Sequence, residues 1–201
     1  MKLIFCRHGE TLANLEDKFQ GVSDTELTEK GKDQARRLNE LLKKLPQIDK
    51  FIISPFPRVI STYKIASEGI DAKVTQEEAI REMSYGDFET KPRHKIDKSV
   101  LEEREKNRFN FSHPGHHNNI LGDSYATLYK RISSFLDNLI VKTNTDETIV
   151  LISHQGVMVC VRKYFLGLSD KEAGSLRVPN NEVFIVTKEK DTSITTTVIK
   201  L

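Results

Sequence analysis

Two places in the chain share one pattern: an apolar run ends in a histidine, with glycine one or two residues beyond. They are Cys6-Arg7-His8-Gly9 and Ser153-His154-Gln155-Gly156. Imidazole works near neutral pH as nucleophile, proton carrier or metal ligand. One histidine after a strand is more often structural than catalytic. Two in the same setting change the balance, because ligands of open α/β sheets sit beyond the carboxyl ends of the strands. If the two strands are neighbours, both rings meet at one crevice. Each glycine lets backbone come close to a ligand or to a facing turn.

The elements that must hold these residues can be read from periodicity. Residues 2–6 form a short β-rich strand that stops at Arg-His-Gly-Glu-Thr. Ala35, Leu38, Leu42 and Leu45, with Leu41 beside them, recur at helical spacing, and Pro46 closes that helix. Phe51-Ile52-Ile53 reads as a buried strand stopped by Ser54-Pro55, followed by a helix over 58–68 and a short strand around Val74. Residues 77–122 read as irregular or weakly helical. A long amphipathic helix then carries Tyr125, Leu128, Ile132, Phe135, Leu136 and Leu139 on one face. The run Thr148 to Ile152 is too apolar and β-branched for an edge strand, and a helix follows over 157–165. Residues 182–187 and 194–200 read as a terminal hairpin around Lys190-Asp191. Strands alternate with helices for most of the length, so the expected fold is a three-layer α/β/α sandwich with a mostly parallel central sheet. Nothing marks a linker, so residues 1–201 are expected to form one domain.

Composition narrows the function classes. The chain has 201 residues, 37% hydrophobic and 30% charged. That is too apolar for disorder, and no run approaches the ~18 apolar residues of a spanning helix, so no membrane partner is expected. The start, MKLIFCRHGE, does not read as a secretory signal, and Cys6 and Cys160 both lie in apolar runs as buried thiols do. A cytoplasmic protein is expected. Lys plus Arg number 31 against 29 Asp plus Glu, and the signs are mixed along the chain. A nucleic-acid binder would carry a basic stripe with interleaved aromatic residues, so none is expected as partner. An anion would have to be held by a few placed cations.

The ordered motifs carry a family resemblance. Arg7-His8-Gly9-Glu10-Thr11 with Asn14 resembles the opening motif of the histidine phosphatase superfamily, also called phosphoglycerate mutase-like. Gln20-Gly21 and Leu27 to Gly31 with Gln34-Ala35 resemble its loop and first helix start. Ser54-Pro55 with Arg58 and Thr62 resembles its second phosphate-binding segment. Arg81-Glu82 with Tyr85-Gly86 and Glu89 resembles the segment with its acid. Gly122 to Tyr125 with Arg131 and Phe135 resembles a helix entry, and Ser153 to Gly156 the second histidine. The match covers residues 3 to about 165. Arg-His-Gly alone is a weak string, whereas the ordered set is strong.

The resemblance implies phosphomonoester chemistry through a phosphohistidine on His8, and these residue types suit it. Neutral His8 can attack phosphorus in line if its other ring nitrogen donates to a backbone carbonyl. Arg7 and Arg58 can grip equatorial oxygens with planar forks. His154, if protonated, adds a donor and Asn14 a neutral one. The resemblance also places Gln20, Gly21 and Gln155 around the phosphate and makes Glu82 the proton donor to the leaving oxygen. No cofactor and no metal are expected: His113, His116 and His117 lie in a loop without cysteine or carboxylate at ligand spacing and read as solvated. Tyr85, Phe56 and Phe88 read as packing residues, and the charges of Lys91 to Lys106 as a solvated face.

Branch and substrate are less determined. Met83-Ser84-Tyr85-Gly86 lacks the arginine that follows the glutamate in the family's mutases, and no adjacent arginine pair occurs in the middle segment. The phosphatase branch is therefore the better reading, with a small phosphorylated metabolite as partner. A cofactor-dependent phosphoglycerate mutase and a non-catalytic phospholigand-binding module remain as alternatives. Ala13 replaces a common aromatic residue, Thr90 stands where glycine often follows Glu89, and Asp123 stands for a glutamate. The terminal hairpin fits either a monomer or a homodimer.

Overall fold

A computed structural model of the protein describes residues 1–189 and 193–201. Its centre is a six-stranded sheet built from β1 (Lys2–Arg7), β2 (Lys50–Ile53), β3 (Lys73–Gln76), β6 (Thr148–Ser153), β7 (Glu182–Lys188) and β8 (Ile194–Lys200). The strand order is β3-β2-β6-β1-β7-β8. β1, β2, β3 and β6 pair in parallel, while β7 is antiparallel to both β1 and β8. The sheet is therefore mostly parallel, as the alternation of elements predicts.

The sequence of the central strands explains the layering. Along β1, Leu3 and Phe5 enter one apolar cluster while Ile4 and Cys6 enter the other. Successive side chains point to opposite faces, so a strand apolar at every position must be covered on both sides. One face is covered by α5 (Tyr125–Lys142) through Leu128, Ile132 and Leu136, and by α6 (Gln155–Leu166) through Val157 and Val161. The other is covered by α2 (Glu29–Leu42) through Leu38 and Leu42, and by α3 (Pro57–Ala66) through Val59 and Ala66. Each such Leu, Ile or Val side chain, fully buried, contributes roughly 1.5–3 kcal/mol. Cys6 and Cys160 are free thiols inside these layers, and burial pushes both up from the ordinary thiol range.

Several expected elements differ in detail. α2 ends at Leu42 rather than running to Pro46, and Lys44 and Leu45 close tight turns onto the carbonyls of Leu41 and Leu42. Leu45 precedes proline, which disfavours the helical region for it. Residues 77–122 hold three 3₁₀ turns, α4 (Lys98–Lys106), and a small hairpin of β4 (His116–His117) and β5 (Ile120–Leu121). Two further short helices are α1 (Leu12–Leu15) and α7 (Asp170–Ser175). β7 and β8 form the expected terminal hairpin, and its turn residues Lys190-Asp191 lie outside the described residues.

The loop after β1 is locked to the start of α2 by close backbone approach. A Cβ on Gly9 would lie 2.3 Å from the Gly31 carbonyl oxygen, and one on Gly31 would lie 2.1 Å from that of Glu10. Thr28 caps α2 with its hydroxyl on the Gly31 N–H, and its own N–H donates to Glu10 O at 2.9 Å.

Thr90 follows Glu89 with φ +65° and is exposed. A β-branched residue in that region is strained by roughly 1–2 kcal/mol, against about 0.5–1 kcal/mol of chain entropy that glycine costs. Thr90→Gly is therefore expected to stabilise the fold by about 0.5–1 kcal/mol. Urea denaturation checks this: a lower midpoint for the glycine variant would show that the Thr90 conformation is not strained.

Candidate active site

The register of the central strands brings the two histidines together. β1 pairs with β6 so that Arg7 stands opposite Ser153, and the His8 N–H donates to Ser153 O at 2.9 Å. The two rings meet edge-on with centroids 5.4 Å apart, and both residues are buried. This is the crevice beyond the carboxyl ends of parallel strands.

His8 is held as a nucleophile must be. Its Nδ1 lies 2.8 Å from Gly9 O, and since a carbonyl only accepts, Nδ1 carries the proton and Nε2 keeps the lone pair. Burial, followed by the charges of Arg58 and Arg7, holds the ring well below the ordinary histidine range, so it is neutral at pH 7. The Asn180 side chain fixes the same turn from the opposite side by donating to His8 O at 2.7 Å.

The arginines are anchored by the protein. Arg7 Nη1 donates to Val178 O at 2.8 Å, and its Nη2 lies 3.4 Å from Asn14 Oδ1. Burial lowers Arg7 to about 10, which leaves it charged. Arg58 is 1% exposed. Its Nη1 donates to Ser23 O and Asp24 Oδ1, and its Nη2 to Gly21 O and His154 Nδ1. Both terminal nitrogens of Arg58 are thus engaged by protein groups. The Nε atoms of Arg7 and Arg58 are buried without a hydrogen-bond partner among the described residues.

His154 is held on both ring nitrogens. Its Nδ1 accepts from Arg58 at 3.1 Å, so in the neutral ring Nε2 bears the proton, 2.7 Å from Ser54 Oγ. Burial and the charge of Arg58 hold it well below the ordinary range. Before substrate binds it is a neutral acceptor that orients Arg58, not a charged donor. Phe56, expected only to pack, lies at the site: its ring is 5.3 Å from that of His154 and 4.9 Å from the Arg58 guanidinium.

Glu82 comes from the segment after β3. Its Oε2 accepts from Gly156 N at 2.9 Å in the first turn of α6, and its Oε1 from Met83 N at 3.1 Å. Burial raises its pKa, against the lowering pull of those two N–H groups and of Arg58 and Arg7. Arg131 holds the approach to Glu82 by donating to Ala79 O at 2.6 Å and Arg81 O at 3.0 Å.

Arg7, His8, Arg58, His154 and Glu82 thus meet in one electrostatic environment. The remaining expected site residues are less direct. Asn14 caps α1, accepting from Thr11 N. Gln20 spends its amide within the loop, on Thr11 Oγ1 and Thr25 Oγ1. Gly21 serves through its carbonyl on Arg58, and Gln155 opens α6 directly after His154. Sequence reasoning placed Ser54 in a phosphate-binding segment without giving it a role, and it did not include Asp24 or Asn180, which sit in loops whose direction no local pattern reveals.

His113 is a further correction. It is buried rather than solvated, ringed by Phe19, Tyr85, Phe88 and Phe111. Its Nε2 accepts from Arg104 Nε at 3.1 Å, and its Nδ1 lies 2.7 Å from Asp123 O. Arg104, expected on a solvated face, is 1% exposed for this reason. Burial lowers His113 to about 4. Between pH 6.5 and about 4 the unfolded chain binds a proton that folded His113 does not, so this contribution to stability is lost as pH falls through that window. His8 and His154, also lowered, act in the same direction. Urea midpoints are expected to fall from pH 7 towards pH 5; midpoints that hold level or rise would contradict the buried, neutral state of these rings.

The profile of the Histidine phosphatase superfamily (branch 1) matches residues 3–198. An adenosylcobalamin/alpha-ribazole phosphatase from Salmonella typhimurium is 28% identical over 158 residues, 79% of this chain and 76% of that protein. Phosphoserine phosphatase 1 from Hydrogenobacter thermophilus is 26% identical over 191 residues, 94% of this chain and 88% of that one. Relatives of similar identity include a protein named for phosphoglycerate mutase activity. The crystal structure of the alpha-ribazole phosphatase from Shigella flexneri superposes with a TM-score of 0.80 at 22% identity, covering 100% of this chain and 96% of that one. No helix among the described residues is long and apolar enough to cross a membrane. With the family profile spanning nearly its whole length, the chain belongs to branch 1 of the histidine phosphatase superfamily and is an enzyme of the phosphatase type.

Proposed function

We propose that the protein hydrolyses the phosphomonoester of a small metabolite in two steps through a phosphohistidine on His8. One observation carries the proposal: His8 is neutral, fixed in its tautomer by Gly9 O, and lies in the field of the Arg58 and Arg7 cations. In the first step His8 Nε2 attacks phosphorus, the P–O bond to the leaving group breaks, and the Glu82 carboxyl gives its proton to that oxygen. In the second, Glu82 takes a proton from water, the water oxygen attacks phosphorus, the P–N bond breaks and His8 is restored. Arg7 and Arg58 stabilise the charge on the equatorial oxygens in both steps, and His154 keeps Arg58 aimed.

The leaving group is received beside Glu82. A cavity of about 330 Å³ opens there, with Val22, Ile120 and Leu121 as apolar wall and Arg81, Asp123 and Arg131 as charged groups. Mixed lining of that size suits a metabolite with both apolar and polar parts. The adenosylcobalamin/alpha-ribazole phosphatase relative supports including alpha-ribazole phosphate in a substrate panel.

Release of phosphate from a chromogenic aryl phosphate, followed by a panel of cytosolic phosphomonoesters ranked by kcat/KM, tests the proposal. Turnover well above a His8→Ala control and undiminished by chelators is expected. No release above that control would favour a binding module. Rapid isomerisation of 3-phosphoglycerate with trace bisphosphate, without free phosphate, would establish a mutase instead.

A further inference from the structure

Glu89 lies outside the group of residues that meet at His8, yet it is 3% exposed and its carboxylate is fully occupied. Oε1 accepts from Gly21 N at 3.1 Å, Val22 N at 3.0 Å and Tyr85 N at 2.9 Å. Oε2 accepts from Gly21 N at 3.0 Å, Ser23 N at 3.3 Å and the Ser23 hydroxyl at 2.5 Å. Three successive backbone N–H groups converging on one anion form a nest, an arrangement that otherwise holds bound phosphate or carboxylate. Here the chain supplies its own anion. A Cβ on Gly21 would lie 2.4 Å from Glu89 Oε1 and 2.1 Å from Met83 O, so the loop can close on Glu89 only with glycine there.

The opposite side of the same loop faces Arg58. With the N–H groups of residues 21–23 turned onto Glu89, the carbonyls of Gly21 and Ser23 receive Arg58 Nη2 at 2.7 Å and Nη1 at 2.8 Å. Asp24, the next residue, accepts from both the Arg58 side chain and its backbone N–H. The Gly21 carbonyl shares one planar peptide unit with the Val22 N–H and points opposite to it, so Glu89 on that N–H fixes the carbonyl that receives Arg58 Nη2, and the Ser23 carbonyl follows in the chain directly after the Ser23 N–H held by Glu89.

We infer that Glu89 is a positioning residue for phosphate recognition: it sets the orientation of Arg58 through the peptide groups of residues 21–24. This rests on the role proposed above for Arg58. Ser23 belongs to the same device, since its hydroxyl and N–H bind Glu89 while its carbonyl binds Arg58.

A double-mutant cycle tests it. Glu89→Gln is made in the native and in the Arg58→Ala background. Aryl phosphate turnover and competitive inhibition by inorganic phosphate are measured well below each variant's melting temperature. Misplacing a phosphate-gripping group costs on the order of 10²-fold, so Glu89→Gln is expected to lower kcat/KM and weaken phosphate inhibition by about that factor in the native background. With Arg58 gone the same substitution is expected to change both by no more than about twofold. Equal losses in the two backgrounds, or unchanged phosphate inhibition in the native one, would overturn the inference. If Arg58→Ala alone leaves turnover and phosphate inhibition intact, the fault lies with the role given to Arg58. Should Glu89→Gln not fold, Ser23→Ala removes one bond to Glu89 and keeps the carbonyl. A smaller loss that again vanishes without Arg58 is expected, and one that persists would overturn the inference.

Discussion

His8→Ala is expected to abolish turnover, lowering kcat by on the order of 10⁵-fold or more, because no other nucleophile at the site is placed to accept the phosphoryl group. His154 is the nearest imidazole, but its Nδ1 is taken by Arg58 and its Nε2 by Ser54. The fold should survive. The His8 ring contributes one hydrogen bond, to Gly9 O, while the turn around it keeps its backbone bonds to Ser153 O and from Asn180. Loss of that bond costs about 1 kcal/mol plus a small cavity, which thermal denaturation will register as a modest shift. Inorganic phosphate should still bind the variant, since the arginines remain. A variant that retained more than about 1% of native kcat, with the protein folded, would show that the phosphoryl group does not pass through His8.

Glu82→Gln is expected to split substrates by leaving group. General acid catalysis is worth about 10²–10⁴-fold, and it is needed when the departing oxygen is a poor leaving group. An alkyl phosphate should therefore lose that factor in kcat. An aryl phosphate with an acidic phenol leaves without help, so its first step should survive as a burst of phenol. The second step still lacks its base, and steady-state release should be slow. The pH dependence follows from the same residue. Burial raises the Glu82 pKa, so its acid form persists above the usual carboxyl range, and alkyl phosphate turnover should fall as pH rises through that raised value. His8 is held well below the ordinary histidine range, so protonation of the nucleophile should not cut the rate until well into acid. The profile is thus expected to be broad on the acid side and limited on the alkaline side by Glu82. The glutamine variant should lose the alkaline limb; an unchanged limb would assign it to another group.

Much of this site was legible because it is local to strand ends. His8 and His154 each terminate an apolar strand, and the three-layer sandwich follows from strands apolar at every position. What periodicity cannot show is register across the sheet, and register decides the site: Arg7 opposite Ser153 brings the rings within 5.4 Å. The fate of side chains in loops was also hidden. Three histidines in one loop look alike in sequence, yet His113 is enclosed by four aromatic rings while His116 and His117 lie on the small hairpin. Glu89 is visible in sequence as part of a motif, but its partners appear only when the chain folds three N–H groups of residues 21–23 onto it. The protonation of His154 was left open for a related reason: a residue type gives its donors and acceptors, but only Arg58 pointing at Nδ1 decides which the ring must be.

The central claim is covalent transfer to His8, and rapid acid-free quench of the enzyme with a ³²P-labelled monoester tests it most directly. The account predicts labelled protein within the first turnover, stable to alkali and labile to acid as a phosphohistidine is. It further predicts that the label maps to the peptide containing His8, is absent from His8→Ala and accumulates in Glu82→Gln. Phosphate released with no labelled protein at any time in Glu82→Gln, or label that persists when His8 is removed, would contradict it.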